Sequence, residues 1–294
     1  MIRTTPYLGR IIRNTRTGRC FSTTINCTLI PQGYSGRQTV GELIQTGRGL
    51  EAVSILEDLI KEDENNVALR IDKATALTAL GSYEEAIKLF DESLQMFPDQ
   101  YNKSQIYVNK GTSYHRLRQL NEAIDCFNKS IQLNPENPVL YDKRLMSYLA
   151  LQSYDDALRN VDKAIEILPT AKRFTMKAIV LREAGRIDEC LGSIEEALCI
   201  DENDVKALVE KAKTLCEIKN FKDALPITEK VINLVPEGEK PEILMFRGNL
   251  LGLLGHDEEC VAALTQAAEM NPLLKNKVAN LLMHLQNSKN KNDS

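Results

Sequence analysis

The chain has 294 residues, of which 43% are hydrophobic and 27% charged, and its formal net charge at pH 7 is −4. This length allows either two globular domains or one array of repeats. The acidic balance disfavours general binding to nucleic acid, because phosphate groups repel it, and no apolar segment is long enough to span a bilayer.

Residues 1–41 differ in composition from the rest of the chain. They contain six arginines, many serines and threonines, no lysine and no acidic residue. A helix in this segment would place its apolar and basic residues on opposite faces, Leu8, Ile11 and Ile12 against Arg3, Arg10 and Arg13. Such a segment is typical of a mitochondrial presequence. We therefore expect the protein in mitochondria, most readily in the matrix.

The end of this segment resembles the mitochondrial cleavage motif, in which an arginine shortly precedes an aromatic residue and a serine follows. Here these residues are Arg19, Phe21 and Ser22. We predict a presequence over residues 1–21 and a flexible linker over residues 22–37. A disordered basic tail and an arginine cluster that contacts anionic lipid are the alternatives. A secretory signal would need a longer apolar run.

Residues 104–137 show most clearly the pattern from which the rest of the chain is built. Tyr107 and Gly111 share one face of a first predicted helix, and Ala123 and Phe127 share one face of a second. Gly111 and Ala123 are small where two antiparallel helices would approach most closely. The segment therefore predicts a helix, a turn and a second helix that pack together but leave apolar surface for a neighbour.

This pattern recurs with a period near 34 residues. Six copies can be aligned, over residues 67–100, 104–137, 138–170, 171–204, 205–238 and 241–274. The small residue of the first helix is Ala74, Gly111, Leu145, Ala178, Ala212 and Gly248. The small residue of the second helix is Ala86, Ala123, Ala157, Cys190, Ala224 and Cys260. The position that ends each copy is Pro98, Pro135, Pro169, Glu202, Pro236 and Pro272.

These columns resemble the tetratricopeptide repeat, which places small residues, aromatic residues and a closing proline at fixed positions. The resemblance implies an all-α fold, a right-handed superhelical solenoid of antiparallel helix pairs over residues 38–274. Leu145 and Glu202 depart from the columns, and we expect altered local packing there. The pentatricopeptide repeat, which binds RNA in organelles, fits the alanine and proline columns less well.

Both ends of the array have weaker patterns that indicate caps. A degenerate first repeat over residues 33–66 has Val40 and Leu43 in a short helix and Gly47 in a turn. At the other end, residues 275–286 predict a capping helix with one apolar side, formed by Leu274, Val278, Leu281, Leu282 and Leu285. We expect residues 287–294 to be a disordered tail.

The seven cysteines and three histidines form no pattern that predicts a metal site or catalysis. The cysteines include no Cys-x-x-Cys pair, and the histidines lie in three different elements. No phosphate-binding glycine loop and no nucleophile motif is present. We therefore predict a protein that is not an enzyme, with no cofactor and no metal.

The resemblance implies that first helices line a concave groove that holds an extended peptide or a partner's helix. Carried over position by position, the groove residues are Asn109, Thr112, Arg116, Lys143, Met146, Ile179, Arg182 and Lys213. A wider set adds Gln105, Val108, Asp142, Lys172, Thr175, Val209, Met245 and Asn249. The lining combines hydrogen-bond donors, positive charges and small apolar patches.

Family members that bind the acidic tails of cytosolic chaperones use a clamp of lysine, asparagine and arginine at five positions. Only Asn109 and Lys143 match those positions here, where Ile71, Thr75 and Val139 occupy the others. We therefore predict that the chain is not such an adaptor. The resulting hypothesis is a mitochondrial scaffold or assembly factor that binds proteins and not nucleic acid. An organellar RNA-binding protein and a regulatory subunit of a mitochondrial enzyme are the alternatives.

Overall fold

The computed structural model describes residues 40–96 and 100–292, and these residues form α-helices in consecutive pairs with no β-strand among them. The predicted all-α array of helix pairs is confirmed. The presequence, the linker and the cleavage residues Arg19, Phe21 and Ser22 lie outside the described residues.

Each pair consists of a first helix and a second helix, numbered here in chain order. The first helices are α1 (Val40–Gln45), α3 (Val67–Leu80), α5 (Gln100–Arg116), α7 (Pro138–Ala150), α9 (Ala171–Glu183), α11 (Val205–Glu217) and α13 (Lys240–Leu253). The second helices are α2 (Gly49–Glu62), α4 (Tyr83–Met96), α6 (Leu120–Leu133), α8 (Tyr154–Ile167), α10 (Ile187–Ile200), α12 (Phe221–Leu234) and α14 (Asp257–Met270). A short 3₁₀ turn (Pro272–Leu274) and a last helix, α15 (Lys275–Asn292), follow.

Several first helices begin at a polar side chain that caps the free backbone amides. The side chains of Asn66, Asn137, Thr170 and Asp204 each accept a hydrogen bond from an amide in the first turn of the helix that follows. The sequence therefore fixes where the first helix of a pair starts, independently of the apolar stripe.

The turn between first and second helix needs a residue in the left-handed region of the backbone. Glycine supplies it in four pairs, for example Gly81 at φ 88°. In the other three pairs Arg118, Gln152 and Lys219 adopt it, with φ between 57° and 62°. These three residues carry a backbone strain that glycine would avoid.

The columns of small residues mark the closest contacts between the helices of a pair. All twelve predicted positions are buried, including Leu145, which is fully enclosed at the position that is small elsewhere. A Cβ atom added to Gly111 would lie 2.9 Å from Cε1 of Phe127, and one added to Gly248 would lie 2.8 Å from Cγ of Leu264. The helices therefore approach more closely there than a side chain allows.

The chain divides into two compact units, unit 1 up to Pro169 and unit 2 from Thr170 onward. Within each unit, successive pairs pack in chain order and bury apolar clusters between them. Phe90 and Ile106 belong to one such cluster in unit 1, and Leu215 and Leu250 to one in unit 2. The stack thus buries the apolar surface that a single pair would leave exposed.

The C-terminal helix covers the last pair. Leu274 and Val278 are buried against Leu251 and Leu264, and further apolar residues of α15 pack beside them. The structure continues α15 to Asn292, past the predicted end at residue 286. Residues 287–292, which we expected in a disordered tail, contain no proline or glycine that would stop a helix.

Candidate functional site

In unit 1 the first helices α3, α5 and α7 contact one another through neutral hydrogen bonds. Nδ2 of Asn109 donates to Oγ1 of Thr75 over 3.1 Å, and Nε2 of Gln105 donates to Oδ1 of Asn109 over 3.0 Å. Thr78 and Ser113 share a hydroxyl hydrogen bond of 2.9 Å. The amide of Asn109, a predicted groove residue, is thus already engaged at both ends.

The same side of unit 1 continues at the C-terminal end of α5. Nδ1 of His115 lies 3.0 Å from Oγ of Ser147 on α7. Burial lowers the pKa of His115, and the positive charges of Arg116, Arg118 and Lys143 lower it further. Among the described residues no carboxylate offsets them at this imidazole, so these surroundings are positively charged.

Arg116, Arg118 and Lys143 are exposed, and within residues 40–96 and 100–292 none of them has an ion pair. On α7, Lys143 lies four residues after Val139 and three before Met146, so the three side chains share one face. Val139 and Met146 are 45% and 46% exposed. We call these five residues, with His115, the cationic patch of unit 1.

Thr112, also predicted as a groove residue, is half-buried, and its hydroxyl donates to the carbonyl of Val108 over 2.9 Å. Val108 itself is buried, as is Thr175 on α9. These two members of the wider predicted set are therefore core residues and have no surface to offer a ligand.

In unit 2 the corresponding first helices meet through charged groups. Arg182 on α9 donates from Nε to Glu210 over 3.2 Å, from Nη1 to Glu217 over 2.8 Å and from Nη2 to Glu183 over 3.0 Å. Nζ of Lys213 donates to the other oxygen of Glu210 over 2.8 Å. We call these five residues the carboxylate cluster of unit 2.

The predicted residues Arg182 and Lys213 therefore come together, but they bind carboxylates of the chain itself. The cluster holds three glutamates against two cations, so it has an excess of one negative charge. Burial lowers the pKa of Arg182, and the bond to Glu217 and the charges of Glu210, Glu217 and Glu183 more than reverse this. Ile179, one turn earlier on α9, is half-buried. This cluster is a poor receptor for a ligand carboxylate.

A further column of residues was missed by the sequence reasoning. The residue before the small position of each first helix is a cation in all six copies, namely Lys73, Lys110, Arg144, Lys177, Lys211 and Arg247. Four of them bind a carboxylate on the preceding second helix: Lys73 to Glu57, Lys110 to Asp91, Lys211 to Glu195 and Arg247 to Glu229. The recurrence in the aligned copies was the signal that could have revealed them.

Arg144 departs from this column because its partners on second helices are amides. Its guanidinium donates to Oδ1 of Asn128 over 2.5 Å and to Oδ1 of Asn160 over 2.8 Å. The rings of Tyr141 and Tyr148 lie 5.5 and 5.7 Å from it, which favours a cation.

Four of the described thiols are not activated for chemistry by their surroundings. Burial raises the pKa values of Cys126, Cys190, Cys216 and Cys260, so these thiols stay protonated at neutral pH. In the part of the chain that the structure describes, no group of three or more possible ligands is placed to hold a metal. None of the helices in that part is both long and apolar enough to cross a bilayer.

A shallow depression of about 250 Å³ lies between α2, α3 and α4 in unit 1. It contains the Lys73–Glu57 ion pair and further residues of both charges. It lies on the second-helix side of α3 and has no part in the contacts between first helices.

Comparison with known proteins agrees with this architecture. Residues 66–136 match the family model described as tetratricopeptide repeat. This segment begins at the cap of α3 and ends after α6, so it spans two complete helix pairs. The match assigns these two pairs to the tetratricopeptide repeat, and the other helix pairs of the described chain follow the same order of a first and a second helix.

Among curated proteins, the protein named STIP1 homolog from Dictyostelium discoideum is 39% identical over 69 residues. These residues are 23% of this chain and 12% of that protein, so the chain matches only about an eighth of its relative.

Two solved structures are similar over most of the chain. The C-terminal part of a repeat-containing protein from Cytophaga hutchinsonii aligns with a TM-score of 0.64 at 17% identity, covering 82% of this chain and 97% of that one. A tetratricopeptide repeat protein from Parabacteroides merdae aligns with a TM-score of 0.62 at 19% identity, covering 84% and 96%. At these identities the similarity shows the fold alone.

Proposed function

We propose that this protein is a non-catalytic scaffold or assembly factor of mitochondria, which binds an extended peptide or a helix of a partner protein on its first helices. The observation that carries the proposal is the cationic patch of unit 1. Its charges have no partner within the described chain, and apolar side chains are exposed beside them. Helical repeats of this kind generally bind other proteins through such surfaces and lack catalytic groups.

The mitochondrial part of the proposal rests on residues 1–41. Their arginines, the absence of acids and the cleavage-like residues Arg19, Phe21 and Ser22 support import into the matrix. A fusion of residues 1–37 to a fluorescent protein should enter isolated mitochondria and be shortened near Phe21 or Ser22. A fusion with Arg3, Arg10 and Arg13 changed to glutamate should stay outside. Equal behaviour of the two fusions would contradict the import proposal.

The binding part is tested by purifying the full chain from mitochondria after crosslinking. We expect one or a few mitochondrial proteins, with crosslinks to α5 and α7. Recovery of cytosolic neighbours alone would contradict the proposal. A single enzyme recovered in equal amount would instead indicate a regulatory subunit.

An RNA-binding function is the second candidate, and one observation favours it. The net charge of −4 conceals a difference between the two sets of helices. The first helices α3, α5 and α7 together carry seven Lys or Arg and two Asp, whereas the second helices α4, α6 and α8 carry four Lys or Arg and ten Asp or Glu. Much of the basic charge of the first helices is neutralised by second-helix carboxylates, including Glu57, Asp91 and Glu92. Crosslinking to RNA in mitochondria, at a level above that of a matrix enzyme, would support this candidate.

The chain is also proposed not to bind the acidic tails of cytosolic chaperones. Asn109 is occupied by Thr75 and Gln105, and the apolar Ile71 and Val139 stand at two of the clamp positions. A peptide with such an acidic C-terminus should show no saturable binding by calorimetry that depends on Asn109. Tight binding that is lost in Asn109→Ala would overturn this statement.

A further inference from the structure

Given the proposed function, the difference between the first helices of the two units indicates which kind of peptide the partner presents. In unit 2, the cations Arg182 and Lys213 are held by three glutamates of the chain. In unit 1, Arg116, Arg118 and Lys143 have no carboxylate partner among the described residues. Of these five cations, the three without a carboxylate partner therefore lie in unit 1.

Three observations place these cations around one point. His115 is bonded to Ser147, which brings the end of α5 against the middle of α7. Arg118 is fixed next to it by the left-handed turn at φ 62°. Arg116, Arg118 and Lys143 are also the three charges that act on the imidazole of His115.

The nearest acid in the sequence does not neutralise the patch. Asp142, the single acidic residue of α7, is half-buried and has an interaction of its own, whereas Arg116, Arg118 and Lys143 form no ion pair with a described carboxylate. Exposed like charges that converge without a counter-ion repel one another, and an anionic ligand would relieve this repulsion.

The apolar side chains beside the cations specify the ligand further. Val139 and Met146 lie one turn on either side of Lys143 on α7, and each is nearly half exposed. A simple anion would leave both in water. A peptide with an acidic residue between two apolar ones would satisfy the charge and cover both side chains at once.

We propose that the cationic patch of unit 1 binds an acidic segment of a partner protein, in which Asp or Glu side chains face Arg116, Arg118 and Lys143 and apolar side chains face Val139 and Met146. The acidic groups are side chains, so a free C-terminal carboxylate is not required. Unit 2 does not share this preference, because its carboxylate cluster repels the same ligand.

The test is a selection of random twelve-residue peptides against the immobilised full chain, with a constant neutral extension that separates the random residues from the C-terminal carboxylate. We expect the enriched peptides to combine Asp or Glu with Leu, Ile, Phe or Met. Their Kd is then measured by fluorescence anisotropy with the double variant Arg116→Glu, Lys143→Glu and with a matched control, Lys206→Glu, Lys222→Glu. The control changes two exposed lysines of unit 2, and both proteins should keep their helical circular dichroism.

We expect the unit 1 variant to raise Kd at least tenfold and the control to change it less than twofold. Basic or neutral enriched peptides, or an equal loss in both variants, would overturn the acidic preference while leaving peptide binding itself intact. Selection of no peptide at all would refute both this inference and the proposed function. Displacement of the peptide by a uridine twelve-mer at lower concentration than by the unlabelled peptide would assign the patch to RNA.

Discussion

The two units solve the same packing problem with different chemistry where their first helices meet. In unit 1 the contacts are neutral, between hydroxyls and an amide or an imidazole, as in Asn109 with Thr75 and His115 with Ser147. In unit 2 a single guanidinium, Arg182, joins α9 to α11 through Glu210 and Glu217. The backbone of a helix pair therefore does not dictate how neighbouring first helices are joined.

This difference has a consequence for binding. Neutral contacts in unit 1 consume no charge, so its surface cations remain available to a partner. In unit 2 the cations are needed to neutralise Glu210, whose side chain is only 11% exposed. In unit 1 the residues that join the first helices are therefore not the cations of the patch, whereas in unit 2 the predicted groove residue Arg182 is itself part of the contact.

The largest expected effect comes from breaking the contact in unit 2. Arg182→Met leaves Glu210 with Lys213 as its one cation and leaves Glu217 with none. Loss of an ionic partner is costly for a carboxylate as little exposed as Glu210. We expect a loss of about 2–4 kcal/mol in the free energy of unfolding by urea. Glu210→Gln in the same chain should restore part of it. By contrast, Asn109→Ala in unit 1 should cost about 1 kcal/mol. Equal losses would mean that the two contacts do not differ in kind.

The second prediction tests what the units share. Gly111→Ala in unit 1 and Gly248→Ala in unit 2 each place a Cβ atom less than 3 Å from a packed side chain, Phe127 or Leu264. Alanine normally favours a helix by up to about 1 kcal/mol over glycine. Here we expect net destabilisation of about 1–2 kcal/mol in both, measured by urea unfolding. Gly192→Ala, on α10 with open space around it, is the control and should stabilise. Stabilisation in all three would show that the helices are not in close contact.

The third prediction uses the pH dependence of unit 1. The pKa of His115 is lower in the folded chain than its ordinary value of about 6.5. Both states are neutral well above that value, so the histidine adds no pH dependence there. As the pH falls below about 6.5, the unfolded chain takes up the proton more readily and stability is lost. The drop in melting temperature between pH 7.5 and pH 5.5 should therefore be smaller in His115→Asn. The same drop in both would contradict this assignment.

Replacing the positive neighbours should have a related effect. In Arg116→Gln, Lys143→Gln the repulsion that disfavours imidazolium is reduced, although burial still disfavours it. We therefore expect the drop in melting temperature between pH 7.5 and pH 5.5 to become smaller, but by less than in His115→Asn.

The sequence predicted the helix pairs but not the contacts between neighbouring first helices. The columns of small residues predicted the helix pairs, because close helix contact restricts side-chain size at fixed positions whatever the partner. The same logic placed Asn109 and Arg182 on first helices. It could not show that Arg182 is occupied, because its partners Glu210 and Glu217 are 28 and 35 residues away. Only packing of successive pairs brings them together.

The column of cations before the small residues could have been predicted, but no single member of it stands out in the sequence. A lysine on a helix is usually solvated, so one copy carries no information. Its regular recurrence beside a buried position indicates an ion pair across the boundary between pairs. Arg144 is a cation like the other members of the column, and only the structure shows that Asn128 takes the place of the carboxylate.

The smallest expected effect comes from completing this column in unit 1. Asn128→Asp would give Arg144 the carboxylate that Lys211 and Arg247 have in unit 2, and a charge-assisted hydrogen bond is stronger than a neutral one. Because the pair is partly exposed, we expect a gain of only about 0.5–1 kcal/mol in urea unfolding. Glu195→Gln makes the reverse change at Lys211 and should lose a similar amount. If Asn128→Asp instead destabilises the chain, the two asparagines and two tyrosine rings around Arg144 already satisfy it. The neutral groups around Arg144 would then be a more stable arrangement at this position than the ion pair that the column forms in both units, for example at Lys73 and Lys211.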